Sequence, residues 1–204
     1  MEQQCTRAQC IAVKDTGFAI TTQTGWARTD GAPVSYPSIY VGCHYNNCSP
    51  GTKLPVPVAL IRKVQTSINL NYVEGATFDA AYDIWLDPKP KKNGVNQQEI
   101  MIWLNRQGQI QPVSYTGKPV DDVSIAGHNW QVWMGSKGQT TSSRTWQSSA
   151  IPAVTFNVLD FVADAAKRSK IDGFYLTSIQ AGFEPWQGSQ GLTIEHFDAN
   201  VDAP

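Results

Sequence analysis

Gln97-Gln98-Glu99-Ile100-Met101-Ile102-Trp103-Leu104 reads as an extended strand with an aliphatic residue at every second position from Ile100. Successive side chains of a strand point to opposite sides, so Ile100, Ile102 and Leu104 share one face and Glu99, Met101 and Trp103 the other. The aliphatic face is core. A carboxylate, a thioether and an indole in a row suit a solvated surface poorly and a sugar-binding groove well.

Two further segments repeat the design. In Leu176-Thr177-Ser178-Ile179-Gln180-Ala181-Gly182-Phe183-Glu184-Pro185-Trp186, Ser178, Gln180, Gly182 and Glu184 fall together, opposite Ile179, Ala181 and Phe183. In Ala81-Tyr82-Asp83-Ile84-Trp85-Leu86, Asp83 and Trp85 face away from Tyr82, Ile84 and Leu86. Outward from these, short alternating runs separated by Asp30-Gly31, Asn93-Gly94, Gln107-Gly108 and Lys137-Gly138 predict an all-β antiparallel sandwich or barrel. Strands are expected near 11–14, 17–22, 38–42, 66–73, 78–86, 98–105, 110–115, 129–134 and 174–184. One segment differs: Val154, Val158, Phe161, Val162, Ala165 and Ala166 recur at helical spacing, which predicts a single helix over about 155–168, packed behind a sheet.

The 204 residues carry 16 Lys+Arg against 17 Asp+Glu, a net charge of −1, so the sequence has no electrostatic footprint for nucleic acid. Charged residues are 16% of the chain, against about 25% in an average protein, while Trp, Tyr and Phe number seven each, a balance suited to a neutral polar ligand. No apolar run is long enough to span a membrane. One domain over residues 1–204, acting as a monomer, is the expectation. The four cysteines, in a chain rich in Ser, Thr, Asn and Gln, point to a secreted, extracellular protein, with local bridges open to Cys5 with Cys10 and Cys43 with Cys48. Zinc is disfavoured, because Cys43, His44 and Cys48 have no second His or Cys-x-x-Cys nearby.

The sequence has no GxSxG, HExxH, Walker or GxGxxG motif and three histidines, so carboxylate chemistry remains. Of the five glutamates, Glu2, Glu74, Glu99, Glu184 and Glu195, two lie in the aromatic strand settings above. Glycosidic cleavage uses two carboxyl groups flanking the bond, one ionised and one protonated, and Glu99 and Glu184 are the candidates.

At these motifs the sequence resembles glycoside hydrolase family 12, the small β-jelly-roll endo-β-1,4-glucanases, and within it the secreted actinobacterial cellulases. The likeness runs through Asp15-Thr16-Gly17-Phe18, Gly31-Ala32-Pro33, Ser35-Tyr36-Pro37-Ser38, Gly42-Cys43-His44-Tyr45-Asn46-Asn47-Cys48-Ser49-Pro50-Gly51-Thr52, Ala81 to Pro88, Glu99 to Trp103 and Gly182 to Trp186. It implies a two-sheet sandwich with a concave cleft and a helix on the convex side. It further implies Glu99 as nucleophile, Glu184 as acid/base and Asp83 as hydrogen-bond partner of the nucleophile, with no cofactor or metal. Such enzymes retain configuration, with the carboxyl groups about 5 to 5.5 Å apart. Met101 and Trp103 would line the cleft beside the bond, with His44 and Trp133 touching sugar elsewhere. The implied substrate is a β-glucan or cello-oligosaccharide, with xyloglucan specificity, a related xylanase or an inert carbohydrate-binding jelly roll as alternatives. The family's Asn-x-Trp is not matched near the chain start, which reads as a shortened N-terminal strand segment with an exposed sheet edge.

Overall fold

The computed structural model describes residues 2–6, 9–138, 140–146 and 149–204, with backbone alone for 143–146. In chain order the strands are β1 (Glu2–Cys5), β2 (Gln9–Lys14), β3 (Gly17–Gln23), β4 (Ser38–His44), β5 (Asn47–Cys48), β6 (Val56–Pro57), β7 (Lys63–Asn71), β8 (Thr77–Asp87), β9 (Gln98–Gln107), β10 (Asp121–Ile125), β11 (His128–Lys137), β12 (Thr140–Trp146) and β13 (Ala153–Asn157). Helix α1 (Val158–Ala166), β14 (Tyr175–Gln187) and β15 (Thr193–Asp202) complete it. One sheet runs β1-β2-β3-β15-β7-β13 and the other β10-β11-β12-β9-β8-β14-β4-β5, with β6 beside β14. All pairs are antiparallel except β12 on β9, which is parallel. This is a two-sheet β-jelly-roll sandwich.

The apolar faces meet between the sheets: Phe78, Ala80, Tyr82, Ile84 and Leu86 of β8, Ile100, Ile102 and Leu104 of β9, and Ile179, Ala181 and Phe183 of β14 belong to one buried cluster. Its one polar tip on β8 is answered, the Tyr82 hydroxyl lying 3.0 Å from the Thr66 hydroxyl. Helix α1 joins this cluster through Val158, Phe161, Val162 and Ala165, with Phe161 edge-on to Trp130 and Phe156. It thus packs on the core side of β9, away from Glu99, Met101 and Trp103.

The helix starts later than its apolar period suggested, because Ala153–Asn157 pairs with β7 as a strand. Asn157 ends that strand and caps the helix, its side-chain oxygen accepting from the Leu159 and Val64 backbone amides. Residues 110–115 form no strand. Pro112 removes a ladder donor, and the segment is held instead by the Tyr115 amide on the Met134 carbonyl and by the Ile110 side chain in the groove. Both local cysteine pairs are bridged, Cys5 to Cys10 and Cys43 to Cys48, each across directly paired strand residues. The edge beside β2, where unpaired backbone was expected, is occupied by β1 in register from Glu2 with Val13 to Cys5 with Cys10.

Candidate functional site

The face of β9, β8 and β14 turned away from the core is ordered by register into transverse rows. One row sets Ser142, Glu99, Trp85, Ser178 and Gly42 side by side from β12 to β4. The next sets Trp133, Met101, Asp83, Gln180 and Tyr40 across β11 to β4, with β12 joined between β11 and β9 by its backbone. Then come Trp103, Ala81 and Gly182, and beyond them Glu184 beside Asp79. Glu99 and Glu184 therefore end a diagonal across three strands, with Asp83 near its middle. A twisted sheet is saddle-shaped, so one of its diagonals curves toward the viewer and residues at its ends lean inward.

Beside β14, in line with β4, runs the segment that precedes β4. The Val34 amide donates to the Pro185 carbonyl and the Phe183 amide to the Pro37 carbonyl, which seats residues 34–37 on β14. Gly182 permits the approach, since a Cβ there would stand 2.3 Å from the Pro37 oxygen. The segment delivers the Tyr36 hydroxyl to a fully buried position with no hydrogen-bond partner among the described residues. Burial, and then the negative charges of Asp83, Glu184, Asp79 and Glu99 in that order, push this phenol far above its ordinary pKa. Four carboxyl groups from three strands thus act on one point.

Each of the seven residues singled out in the sequence can be placed. Asp83 is 4% exposed and Met101 is completely buried. Glu99 is half-buried, and its Oε2 accepts a hydrogen bond of 2.8 Å from the Ser142 hydroxyl. Trp103 packs with Met101, Ala81, Ile110 and Trp186 and, with Glu184 and Trp186, lines a cavity of about 490 Å³ walled by Gly31, Pro33 and Pro112. The Trp186 indole is fixed there by donating to the Gly31 carbonyl at 3.0 Å. Trp133 lies buried in the row of Met101, its indole nitrogen shielded and without a partner among the described residues. His44 closes the other end. Gln180 donates to Ser178 Oγ at 3.0 Å and reaches His44 Nδ1 at 3.2 Å. An amide nitrogen only donates, so Nδ1 is the acceptor and the ring's proton sits on Nε2. Burial lowers the His44 pKa.

Sequence reasoning missed Tyr36, Asp79 and Ser142. Asp79 was within reach, because it continues the parity of Ala81, Asp83 and Trp85. Tyr36 and Ser142 carried no local signal, since one lies in a loop and the other in the polar run Thr140-Thr141-Ser142-Ser143. Among the described residues no cluster of His, Cys, Asp and Glu is arranged to hold a metal ion.

Comparison with known proteins bears on what such a groove belongs to. The chain is 46% identical over 153 residues to "Probable cellulase Cel12b" of Mycobacterium tuberculosis, an alignment covering 74% of this chain and 99% of that protein. It is 28% identical over 205 residues to "Xyloglucan-specific endo-beta-1,4-glucanase A" of Aspergillus aculeatus, covering 98% and 82%. The solved structure of endo-1,4-beta-glucanase CelB2, a cellulase, superposes with a TM-score of 0.92 at 46% identity, over 97% of this chain and 88% of that one. The sequence pattern of glycosyl hydrolase family 12 matches residues 2–202, and the chain belongs to that family.

Proposed function

We propose that the chain is a single-domain endo-β-1,4-glucanase that cleaves internal bonds of a β-glucan with retention of configuration. Glu99 is the nucleophile, Glu184 the acid/base and Asp83 the residue that positions Glu99. The observation carrying this reading is the shared groove face of Glu99 and Glu184, both of whose charges act on the buried Tyr36 hydroxyl.

In the first step a Glu99 carboxylate oxygen attacks the anomeric carbon. The glycosidic bond breaks, its electron pair goes to the leaving oxygen, and Glu184 supplies the proton that oxygen takes up. In the second step Glu184, now ionised, takes a proton from water as that water attacks the same carbon, and the bond to Glu99 breaks to restore its carboxylate. Two carboxyl groups supply both nucleophile and acid, so no metal or organic cofactor is required. Glucosyl units stack on Trp103 in the cavity beside Glu184, and His44 and Trp133 meet sugar farther along the groove. The enzyme acts as a secreted monomer, a placement supported by its two disulfides.

The test is Glu99→Gln and Glu184→Gln on barley β-glucan and on a dinitrophenyl cellobioside. Glu99→Gln loses both activities. Glu184→Gln loses about 10² to 10⁴-fold on the polymer and far less in the bond-breaking step of the aryl glycoside, whose leaving group needs no proton. Wild-type turnover by either folded variant would overturn the assignment, and failure of the unaltered chain to release reducing sugar would leave an inert binding module. The likeness to the xyloglucan-specific enzyme supports a second reading of the substrate. Side-by-side rates on xyloglucan and unbranched β-glucan decide between them.

A further inference from the structure

The parallel pairing of β12 on β9 sets Ser142 directly beside Glu99, 43 residues away in the chain. Its side chain is buried, the residue being 1% exposed, and its hydroxyl donates to Glu99 Oε2 at 2.8 Å. We propose that Ser142 is a positioning residue for the nucleophile: it occupies Oε2, leaves Oε1 as the oxygen that bonds to the anomeric carbon, and stabilises the Glu99 carboxylate when it leaves the sugar. The inference rests on the reading of Glu99 as nucleophile.

A glutamate carboxyl turns freely about its last torsion, and its two oxygens are equivalent until something distinguishes them. A buried donor on one of them does so. In the covalent intermediate Oε1 is bonded to the sugar and Oε2 is a carbonyl oxygen. When water attacks, the C1–Oε1 electron pair returns to the carboxyl group and spreads over both oxygens. A hydroxyl already aimed at Oε2 meets that charge as it develops, without reorganisation. The same hydrogen bond stabilises free Glu99 before attack, so its net benefit falls on the second step.

The surroundings make such a donor consequential. On the groove face Glu99 stands between Ser142 of β12 and Trp85 of β8, with Asp83 one row along, and its charge acts with those of Asp83, Glu184 and Asp79 on the Tyr36 hydroxyl. Arg144, two positions along β12, pairs by its backbone with Met101. Loss of the Ser142 hydroxyl withdraws a buried donor from Glu99 Oε2, and the rate at which the covalent intermediate breaks down reads that loss.

The experiment uses a dinitrophenyl cellobioside bearing fluorine in place of the hydroxyl next to the anomeric carbon, which traps the covalent intermediate. Peptide mapping of the trapped wild-type enzyme first locates the label. A label on any residue other than Glu99 overturns the nucleophile assignment and this inference with it. With the label on Glu99, reactivation of the trapped enzyme is compared in wild type, Ser142→Ala and Ser142→Thr. Ser142→Ala reactivates about tenfold more slowly, near the low end of a hydrogen bond to a charged group, while Ser142→Thr, which keeps the hydroxyl, restores reactivation. Wild-type reactivation in folded Ser142→Ala overturns the proposal and leaves the Glu99 assignment standing. Ser142→Cys keeps the reach and donates weakly; it supplies the same reading should the alanine variant not fold.

Discussion

The two faces of β8, β9 and β14 come from alternate residues of the same strands and answer to different demands. On the core face every side chain is apolar or satisfied, from Ile84, Ile100 and Phe183 to the Tyr82 hydroxyl beside Thr66. On the groove face the indole nitrogens of Trp85 and Trp133 and the Tyr36 hydroxyl are shielded from solvent without a partner among the described residues. Each such group costs about 1–3 kcal/mol, and the gathered carboxyl groups add mutual repulsion. The contrast teaches that one face holds the fold firmly enough for the other to keep groups arranged for a ligand rather than for stability.

The largest effect should come from breaking the core side alone. Ile102 is fully buried between Met101 and Trp103 in sequence but on the opposite face. Ile102→Ala should lower unfolding free energy by about 2–5 kcal/mol while kcat per folded molecule stays near wild type. Urea unfolding followed by active-site-titrated kinetics measures both. A fall in kcat with unchanged stability would show that the faces are not separable.

The converse change is Asp83→Asn. The side chain keeps its size and loses a charge that stands among Glu99, Glu184 and Asp79 around the Tyr36 hydroxyl. Activity should fall by about 10²-fold, as expected when a reacting group is misplaced slightly, and the melting temperature should hold or rise as repulsion is relieved. A variant that melts earlier and keeps its kcat would assign Asp83 to the fold instead.

The same contrast explains what the sequence disclosed. Core-face alternation is local, so β8, β9 and β14 were legible at once, whereas the cysteines five apart left local bridges open and the structure supplied the pairing. β15 was not, because an irregularity between Ile194 and His196 shifts the parity, leaving Ile194 on one count and Phe197, Ala199 and Val201 on the other. β12 was hidden by its polar run, and Ala153–Asn157 by the helical period that Val154 seemed to begin. In the groove, Glu99, Asp83 and Glu184 stood out because acids beside aromatics opposite an aliphatic face are unusual. Ser142 and Tyr36 did not, because their meaning arises from a parallel neighbour and from a segment seated on a strand far along the chain, contacts that no short stretch of sequence contains.

The smallest effect concerns the far end of the groove and is read through pH. Burial lowers the His44 pKa in the folded chain, whereas in the unfolded chain it lies near the ordinary value of about 6.5. Between the two values the unfolded chain binds more protons than the folded one, so stability rises with pH in that window. His44's contribution is therefore complete above about pH 6.5 and is lost as pH falls toward the lower folded value. Protonation also removes the Nδ1 acceptor that Gln180 uses, freeing Gln180 beside Asp83. Melting temperature should accordingly drop between about pH 6.5 and the onset of carboxylate titration, and His44→Asn should flatten that stretch while leaving the acid limb of unfolding in place. An identical slope in the variant would move the titration to another group and detach His44 from the groove's pH response.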